Sequence, residues 1–193
     1  NIAALCADYS RPFALPDIER LGARRRIAYF PGSTIGNFTV EEARCFLHRA
    51  CVLVAPGGAM LVGVDLKKTE TVLHAAYNDA QGVTAAFNLN LLARINRELG
   101  ADFDLSAFRH HAFYNRDAGR IEMHLVSLAD QQVTLAGRAF RFRSDETIHT
   151  ENSYKYSVDE FQALAREAGF EAERCWTDAA QLFAIHYLVV PER

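Results

Sequence analysis

The sequence lacks the features that mark several large classes of protein. No apolar run approaches the roughly 18 residues that a membrane-spanning helix needs, so we expect neither a membrane span nor a secretory leader. Basic residues are not in surplus, since 21 Lys and Arg face 24 Asp and Glu and the net charge is -3. A nucleic-acid-binding surface needs clustered positive charge. We therefore expect no nucleic-acid and no membrane partner.

Cysteine is scarce as well. Cys6, Cys45, Cys51 and Cys175 have no CxxC spacing of the kind that zinc sites use, and they are too few for a disulfide scaffold. The histidines form no i, i+4 pair on a predicted helix, which is a common arrangement for metal ligands. We therefore expect no bound metal, reduced thiols and a cytoplasmic location.

What the sequence does contain is an apolar core and one distinctive loop. Half of the 193 residues are hydrophobic, which is enough for a well-buried domain. Ile27–Phe30 is a short apolar run typical of a strand, and Pro31–Asn37 is a loop of glycine, proline and hydroxyl residues. Thr39 and Glu42 then have capping-box spacing, which predicts the start of a helix. Because ligands bind beyond the carboxyl ends of strands in open α/β sheets, we expect this loop to hold a site.

The first half of the chain predicts a βαβ unit. Helical spacing of apolar residues continues over 40–54, and a buried strand follows over 59–64 and ends at Asp65. Two strands joined by a helix should be parallel, with a right-handed crossover. Ahead of them, we expect Asn1–Tyr9 to form a buried strand and residues 10–25 to form a surface loop or short helix.

The second half predicts further helices, an antiparallel lobe and a closing hairpin. We expect helices over 69–79 and 83–99, the second ending at Gly100. A capping box at Ser157 and Glu160 predicts another helix. Short runs with turn residues between them predict antiparallel strands at 112–115, 120–127, 132–135, 139–142 and 147–154, and closely spaced strands predict a hairpin at 173–177 and 182–190.

Several motifs occur in order along the chain. They are Phe30–Asn37, Gly63–Leu66, Ala76–Asn88, Arg120–Met123, Thr150–Lys155 and Trp176–Asp178. Together they resemble the histidine-specific, S-adenosylmethionine-dependent methyltransferase family, which makes trimethylhistidine (hercynine) in ergothioneine biosynthesis. The resemblance extends from about Cys6 to the end of the chain.

The resemblance implies a role for individual residues. Asn37 resembles the asparagine that holds the amino-acid head group, and Tyr77 the tyrosine that binds the substrate carboxylate. Glu151 and Ser153 resemble the pair that receives the imidazole ring. The further residues that it implies are Phe87 and Met123 as pocket walls, and Asp8, Tyr9 and Gly32 as contacts of the cofactor S-adenosyl-L-methionine.

These assignments are chemically reasonable. On an extended strand Glu151 and Ser153 face the same side, where a carboxylate and a hydroxyl can bind the two nitrogens of imidazole. Asn37 offers both a donor and an acceptor, and Tyr77 donates without adding charge. Asp8 can accept from ribose or from the adenine amino group, and Tyr9 can stack on the base. No single general base is evident.

The resemblance implies an α/β fold of the class I methyltransferase (Rossmann-like) type with an inserted antiparallel α+β substrate-binding lobe. We expect core segments at 1–82 and 157–193 and the lobe at 83–156. The family's glycine-rich cofactor turn has no match, so we expect an N-terminally incomplete fragment that is inactive alone.

The expected enzyme transfers methyl groups to the α-amine of L-histidine. The alternatives are a methyltransferase of the same family for another amine, and a non-catalytic binding module.

Overall fold

A computed structural model describes residues 2, 4–9, 11, 13–15, 22 and 24–192. The chain divides into two compact units, the first made of residues 1–66 and 156–193 and the second of residues 67–155. In chain order the helices and strands are β1 (Ile27–Phe30), α1 (Val40–Val54), β2 (Ala59–Asp65), α2 (Glu70–Tyr77), α3 (Val83–Leu99), β3 (Phe108–Asn115), β4 (Arg120–Ser127), β5 (Gln131–Leu135), β6 (Arg138–Phe142), β7 (Thr147–Tyr154), α4 (Val158–Glu167), β8 (Glu171–Thr177) and β9 (Phe183–Val189).

The first unit is a four-stranded mixed sheet with helices. Its strand order is β1-β2-β9-β8, in which β1 and β2 are parallel and the other neighbours are antiparallel. This confirms the predicted parallel pair and the closing hairpin. The predicted capping box of α1 is present, since the Glu42 amide donates to Thr39 Oγ1 at 3.2 Å and the Thr39 amide to Glu42 Oε2 at 2.8 Å. Such a cap is worth about 1 kcal/mol.

The buried face of α1 and the strand β2 form the centre of this unit. Ala43, Leu47 and Met60 are fully buried, and β2 is buried along nearly its whole length. A second capping box opens α4, where Ser157 and Glu160 exchange hydrogen bonds as their spacing predicts. These helices therefore begin where local side chains satisfy the first free amides.

The predicted strand at Asn1–Tyr9 is wrong for the residues that the structure describes. Residues 2 and 4–9 are exposed and form no strand, with Ile2 100% accessible. Apolar composition alone does not make a strand, because the backbone amides and carbonyls also need a paired neighbour. Within the described residues β1 pairs with β2 alone. Residues 1 and 3, and much of the predicted loop over 10–25, lie outside the described residues.

The second unit contains two antiparallel sheets and two helices, and its strand pairings confirm the predicted antiparallel strands. One sheet has the order β3-β4-β7 and the other is the hairpin β5-β6. The helix α2 contributes Leu73 to an apolar cluster with Ala112, Ile121 and Met123 on one face of the larger sheet. Because α2 packs on this sheet, the division falls at residue 67, whereas the sequence interpretation kept residues 67–82 with the core.

The core of the lobe extends further along β3 than the sequence predicts. This strand begins at Phe108 and not at Ala112, because Phe108 packs with Leu92 and Leu125 in a second apolar cluster. The pairing of β4 with β7 shifts register between Met123 and His124. No helix in the described part of the chain is long and apolar enough to cross a bilayer.

Candidate functional site

The loop after β1 is held close to the end of β2. Ser33 has a left-handed backbone with φ 59°, and its hydroxyl accepts a 2.8 Å hydrogen bond from the Asp65 amide. Gly63 permits the approach, because a Cβ at that position would lie 2.8 Å from the Phe183 ring and 3.1 Å from the Gly32 nitrogen. Asn37 ends a short 3-10 turn over Thr34–Asn37 and is exposed. The first unit therefore presents this asparagine at the carboxyl end of its parallel strands.

One of the predicted cofactor residues, Tyr9, lines an aromatic groove of the first unit. Tyr9 packs edge-on against Phe30 and Phe46, with ring centroids 5.9 and 6.1 Å apart. These three rings help to line a groove of about 400 Å³. Asp8 is mostly exposed and pairs with Arg11 at 3.3 Å. Gly32 is exposed with φ 79°, and a Cβ there would meet no atom within 4 Å.

In the second unit, alternate residues of one strand supply polar groups to a single face. Met123 lies opposite Glu151 and Ile121 opposite Ser153 in the β4–β7 pairing, and directly opposed residues share a face. Glu151 and Ser153 therefore face the side of the sheet that carries α2, as the sequence predicts for an extended segment. Lys155 follows in the same alternation just beyond the strand.

Three side chains on this face, Tyr77, Ser153 and Lys155, form what we call the Tyr77 triangle. The Lys155 ammonium donates to Ser153 Oγ at 2.6 Å and to Tyr77 Oη at 2.8 Å. The Tyr77 hydroxyl donates to Ser153 Oγ at 2.8 Å. Lys155 is 2% exposed and Ser153 7%. The structure thus brings together two predicted residues and one lysine that the prediction omitted.

Glu151 lies on the same face without a comparable set of partners. Burial raises the pKa of its carboxyl, and the positive charge of Lys155 opposes that rise. Among the described residues no group donates a hydrogen bond to this carboxylate. A half-buried carboxylate without a donor is a ready acceptor for an N–H group of a ligand.

The two predicted pocket walls differ in their surroundings. Met123 is 3% exposed and belongs to the apolar cluster that α2 covers. Phe87 on α3 is 65% exposed. Met123 can thus support Glu151 from across the strand pair, and Phe87 offers an open aromatic face within its unit.

Polar residues of the Ala76–Asn88 motif attach the end of α2 to the sheet. Asn78 donates to the Ala112 carbonyl at 3.0 Å and accepts from its amide at 3.4 Å. His110 Nε2 lies 2.8 Å from the Tyr77 carbonyl, so this nitrogen carries the hydrogen. Its Nδ1 then accepts from Asn88 at 3.0 Å. These residues hold Tyr77 against the sheet, and the sequence interpretation did not assign them.

Another motif residue sets the start of the next helix. Asp79 accepts hydrogen bonds from the amides of Thr84 and Val83, both at 2.9 Å. The hydrogen bonds from Thr84, with that from Val83, lower the pKa of this partly exposed carboxyl to about 2. The motif is therefore a structural joint between α2 and α3 as well as the carrier of Tyr77.

The opposite face of the same sheet carries a different polar group, which we call the Glu122 cluster and which consists of Asn115, Arg120, Glu122, His124 and His149. Glu122 accepts from Arg120 at 2.7 Å, from Asn115 at 3.0 Å and from His124 at 3.2 Å. Burial disfavours its ionised form, but these hydrogen bonds outweigh burial and hold its pKa at about 2. This carboxylate is fully occupied within the protein.

Three members of the Glu122 cluster lie close enough to be considered as metal ligands. Ligand atoms of Glu122, His124 and His149 fall within 4.8 Å of one another. However, the two imidazoles stack with centroids 4.5 Å apart and planes at 13°, so their lone pairs do not converge on one point. Strand pairing brings His124 and His149 together, and helical spacing along the sequence does not reveal such a pair.

The comparisons with known proteins agree with the motifs. The family described as "Histidine-specific methyltransferase, SAM-dependent" matches residues 1–190. The "Histidine N-alpha-methyltransferase" of Mycolicibacterium smegmatis is 42% identical over 191 residues, which are 98% of this chain and 58% of that protein. The protein of the same name from Mycobacterium tuberculosis is 41% identical over 96% of this chain and 57% of its own length. The chain therefore spans less than two thirds of these curated relatives.

More distant matches have related names. The "Ergothioneine biosynthesis protein 1" of Neurospora crassa is 31% identical over 81% of this chain and 18% of its own length. Among solved structures, the CcbJ methyltransferase of Streptomyces caelestis has a TM-score of 0.49 and 12% identity over 96% of this chain and 62% of that one. The family match over nearly the whole chain, with relatives above 40% identity, decides the assignment. The chain belongs to the histidine-specific, S-adenosylmethionine-dependent methyltransferase family.

Proposed function

We propose that the protein containing this chain transfers methyl groups from S-adenosyl-L-methionine to the α-amino group of L-histidine and forms N,N,N-trimethylhistidine in ergothioneine biosynthesis. The observation that carries the proposal is that Glu151, whose carboxylate accepts no hydrogen bond from the described residues, and the hydroxyl-bearing Ser153 lie on one strand face. Both occur in a chain 42% identical to a protein named histidine N-alpha-methyltransferase.

The imidazole ring is the part of histidine that this face would recognise. Glu151 accepts the N–H of a neutral imidazole, and Ser153 binds the second ring nitrogen. Amino acids without a ring that pairs with both groups would leave the carboxylate desolvated and unpartnered. An unsatisfied buried polar group costs about 1–3 kcal/mol, which is a basis for specificity.

Asn37 in the first unit and Tyr77 in the second are each proposed to bind the amino-acid head group. Asn37 supplies a donor and an acceptor in one side chain, which suits a carbon that bears both an amine and a carboxylate. Tyr77 already donates to Ser153, so it exchanges this bond when it donates to a substrate carboxylate. The protein's task at this end is to orient an unprotonated amine and exclude water.

The first unit has side chains that suit the adenosine part of the cofactor. The Tyr9 ring is 48% exposed beside Phe30 and Phe46, and the Asp8 carboxylate lies next to it in sequence. Gly32 leaves open space at the loop after β1. When bound, S-adenosylmethionine supplies a sulfonium methyl as the electrophile, so no covalent protein nucleophile is required. An exposed aromatic ring such as Phe87 favours a growing ammonium by about 0.5–2 kcal/mol.

We place this reaction in the cytoplasm. The cysteines Cys6, Cys45, Cys51 and Cys175 are all free thiols, which suits a reducing compartment.

The test is calorimetry and methyl-transfer assay on the full-length protein with S-adenosylhomocysteine or S-adenosylmethionine. We expect histidine to bind and to be methylated, and close amino-acid analogues without an imidazole to bind at least about 10-fold more weakly. Equal binding of other amino acids would reject histidine specificity. Turnover of a different amine with rejection of histidine would favour a methyltransferase of the same family for another amine. No turnover at all would favour a non-catalytic binding module.

A further inference from the structure

Lys155 is a buried lysine to which the proposed recognition of histidine assigns no role. It is 2% exposed, and its ammonium lies within hydrogen-bond distance of two residues that are proposed to touch the substrate. Lysine is rarely buried unless its charge is compensated, because removing an ammonium from water is costly. Its backbone is fixed as well, since the Lys155 amide donates to the Gly119 carbonyl at 2.9 Å.

The hydrogen bonds of the Tyr77 triangle determine how Lys155 affects the Ser153 hydroxyl. An ammonium can donate but cannot accept. Ser153 Oγ therefore accepts from Lys155, and it also accepts from the Tyr77 hydroxyl. In this arrangement both acceptor positions of the Ser153 oxygen are in use, and its own hydrogen is left to donate. When Tyr77 turns to a substrate carboxylate, Lys155 still donates to Ser153 and keeps that hydrogen pointing outward. Lys155 thus makes the Ser153 hydroxyl, which could otherwise donate or accept, a hydrogen-bond donor toward a ligand.

The carboxylate on the same face has the opposite character. Glu151 is an acceptor when ionised, and the nearby ammonium of Lys155 favours that ionised form. Tyr77 of α2 and Tyr114 of β3 pack on the apolar cluster that contains Met123, the residue opposite Glu151, and His149 Nε2 lies 3.2 Å from the Glu151 backbone carbonyl. One strand face thus offers one acceptor and one donor two residues apart.

We propose that Lys155 is a positioning residue that makes Ser153 a donor and keeps Glu151 an acceptor, so that the site selects a ring with one N–H and one unprotonated nitrogen. This inference rests on the proposed function. It identifies the neutral form of imidazole as the bound species. A ring protonated on both nitrogens would set an N–H against the Ser153 hydroxyl hydrogen and a positive charge near Lys155.

The experiment compares variants of the full-length protein by calorimetry with histidine across pH 5.5 to 9. In Lys155→Met we expect histidine to bind about 10- to 100-fold more weakly at pH 8, because bonds from a charged donor are lost. We also expect the acid limb of the binding profile to move to higher pH, since Glu151 loses the charge that favours its ionised form. A purely structural lysine would not move that limb.

Two further variants separate the hydrogen bonds from the charge. Lys155→Gln keeps a neutral donor, so it should recover part of the affinity at pH 8 while its acid limb stays shifted. Arg97→Met is the charge-matched control, because Arg97 is an exposed cation on α3 of the same unit that pairs with Glu98 at 2.9 Å, and it should match the wild type in both respects. Thermal unfolding of each variant verifies that it is folded.

A measurement on the wild type covers the case in which the Lys155 variants do not fold. Analogues of histidine that carry a pyrrole ring, with an N–H only, or a thiazole ring, with an acceptor nitrogen only, should both bind at least about 10-fold more weakly than histidine. Equal binding of either analogue, or a Lys155→Met protein with the affinity and acid limb of the wild type, overturns the inference. If the wild type binds no histidine, the proposed function fails and this inference fails with it.

Discussion

The two faces of the β3-β4-β7 sheet both carry a glutamate, and the two glutamates have opposite surroundings. Glu122 accepts from Arg120, Asn115 and His124 and has a pKa near 2. Glu151 has no donor among the described residues, and burial raises its pKa. The first carboxylate is satisfied by the protein and stabilises the lobe. The second is left for a ligand, so the partners of a carboxylate distinguish a structural group from a binding group better than its burial does.

The largest expected effect on stability comes from removing the Glu122 carboxylate, whose hydrogen bonds are satisfied within the protein. Glu122→Ala leaves Arg120 without its main partner, and breaking a largely buried ion pair costs about 3 kcal/mol or more. We expect the free energy of unfolding, measured in urea, to fall by that amount. Where the variant remains folded, histidine affinity should stay within about twofold of wild type. A large loss of affinity with unchanged stability would reverse the roles that we assign to the two faces.

The converse substitution is Glu151→Ala. It should lower histidine affinity by about 30-fold or more, because a charged acceptor for the imidazole N–H is removed. Its effect on unfolding should be smaller than that of Glu122→Ala, since no described residue donates a hydrogen bond to Glu151 and what is lost is its attraction to the Lys155 ammonium. Glu98→Ala is the control, as an exposed glutamate of α3 that pairs with Arg94 at 3.2 Å. Calorimetry and urea unfolding of both variants decide the result.

Acid titration compares the two faces without a large structural change. Glu122 has a folded pKa of about 2 against an ordinary value of 4.5, so its stabilising effect is complete above pH 4.5 and is lost as the pH falls toward 2. In Glu122→Gln this part of the acid-induced loss of stability should be absent. The measurement is the unfolding free energy against pH for the wild type and the variant. Identical slopes below pH 4.5 would contradict the assigned pKa.

The smallest expected effect concerns the attachment of α2 to the binding face. Asn78→Ala removes two hydrogen bonds to Ala112, and we expect a loss of about 1–2 kcal/mol in unfolding free energy. The histidine affinity of Asn78→Ala should fall several-fold more than that of a variant on the Glu122 face of the sheet with the same loss of stability. The reason is that Tyr77 directly precedes Asn78. An equal affinity in both variants would show that the α2 end does not position Tyr77.

Local signals along the chain were sufficient for most elements. The capping boxes at Thr39 and Ser157 marked the true starts of α1 and α4, because a cap depends only on neighbours three residues apart. Alternation was enough to place Glu151 and Ser153 on one face. The same alternation extends to Lys155, so its position was readable although its role was not assigned.

Other features depended on contacts between distant segments. The described residues of Asn1–Tyr9 form no strand despite their apolar composition, because a strand requires a paired neighbour. The Glu122 cluster arises from strand pairing, which places His124 opposite His149. Residue spacing on one element contains no information about such pairs.

The sequence by itself determined the family, the main helices and strands, and the residue types available for binding, since these follow from ordered motifs and from periodicity over a few residues. Only the tertiary structure decided which polar groups are satisfied and which remain available. A hydrogen bond or an ion pair depends on distances of a few ångströms between residues such as Tyr77 and Lys155, which are 78 positions apart. Those distances are set by packing, and packing also makes one glutamate a structural anchor and leaves the other as the proposed acceptor for a ligand.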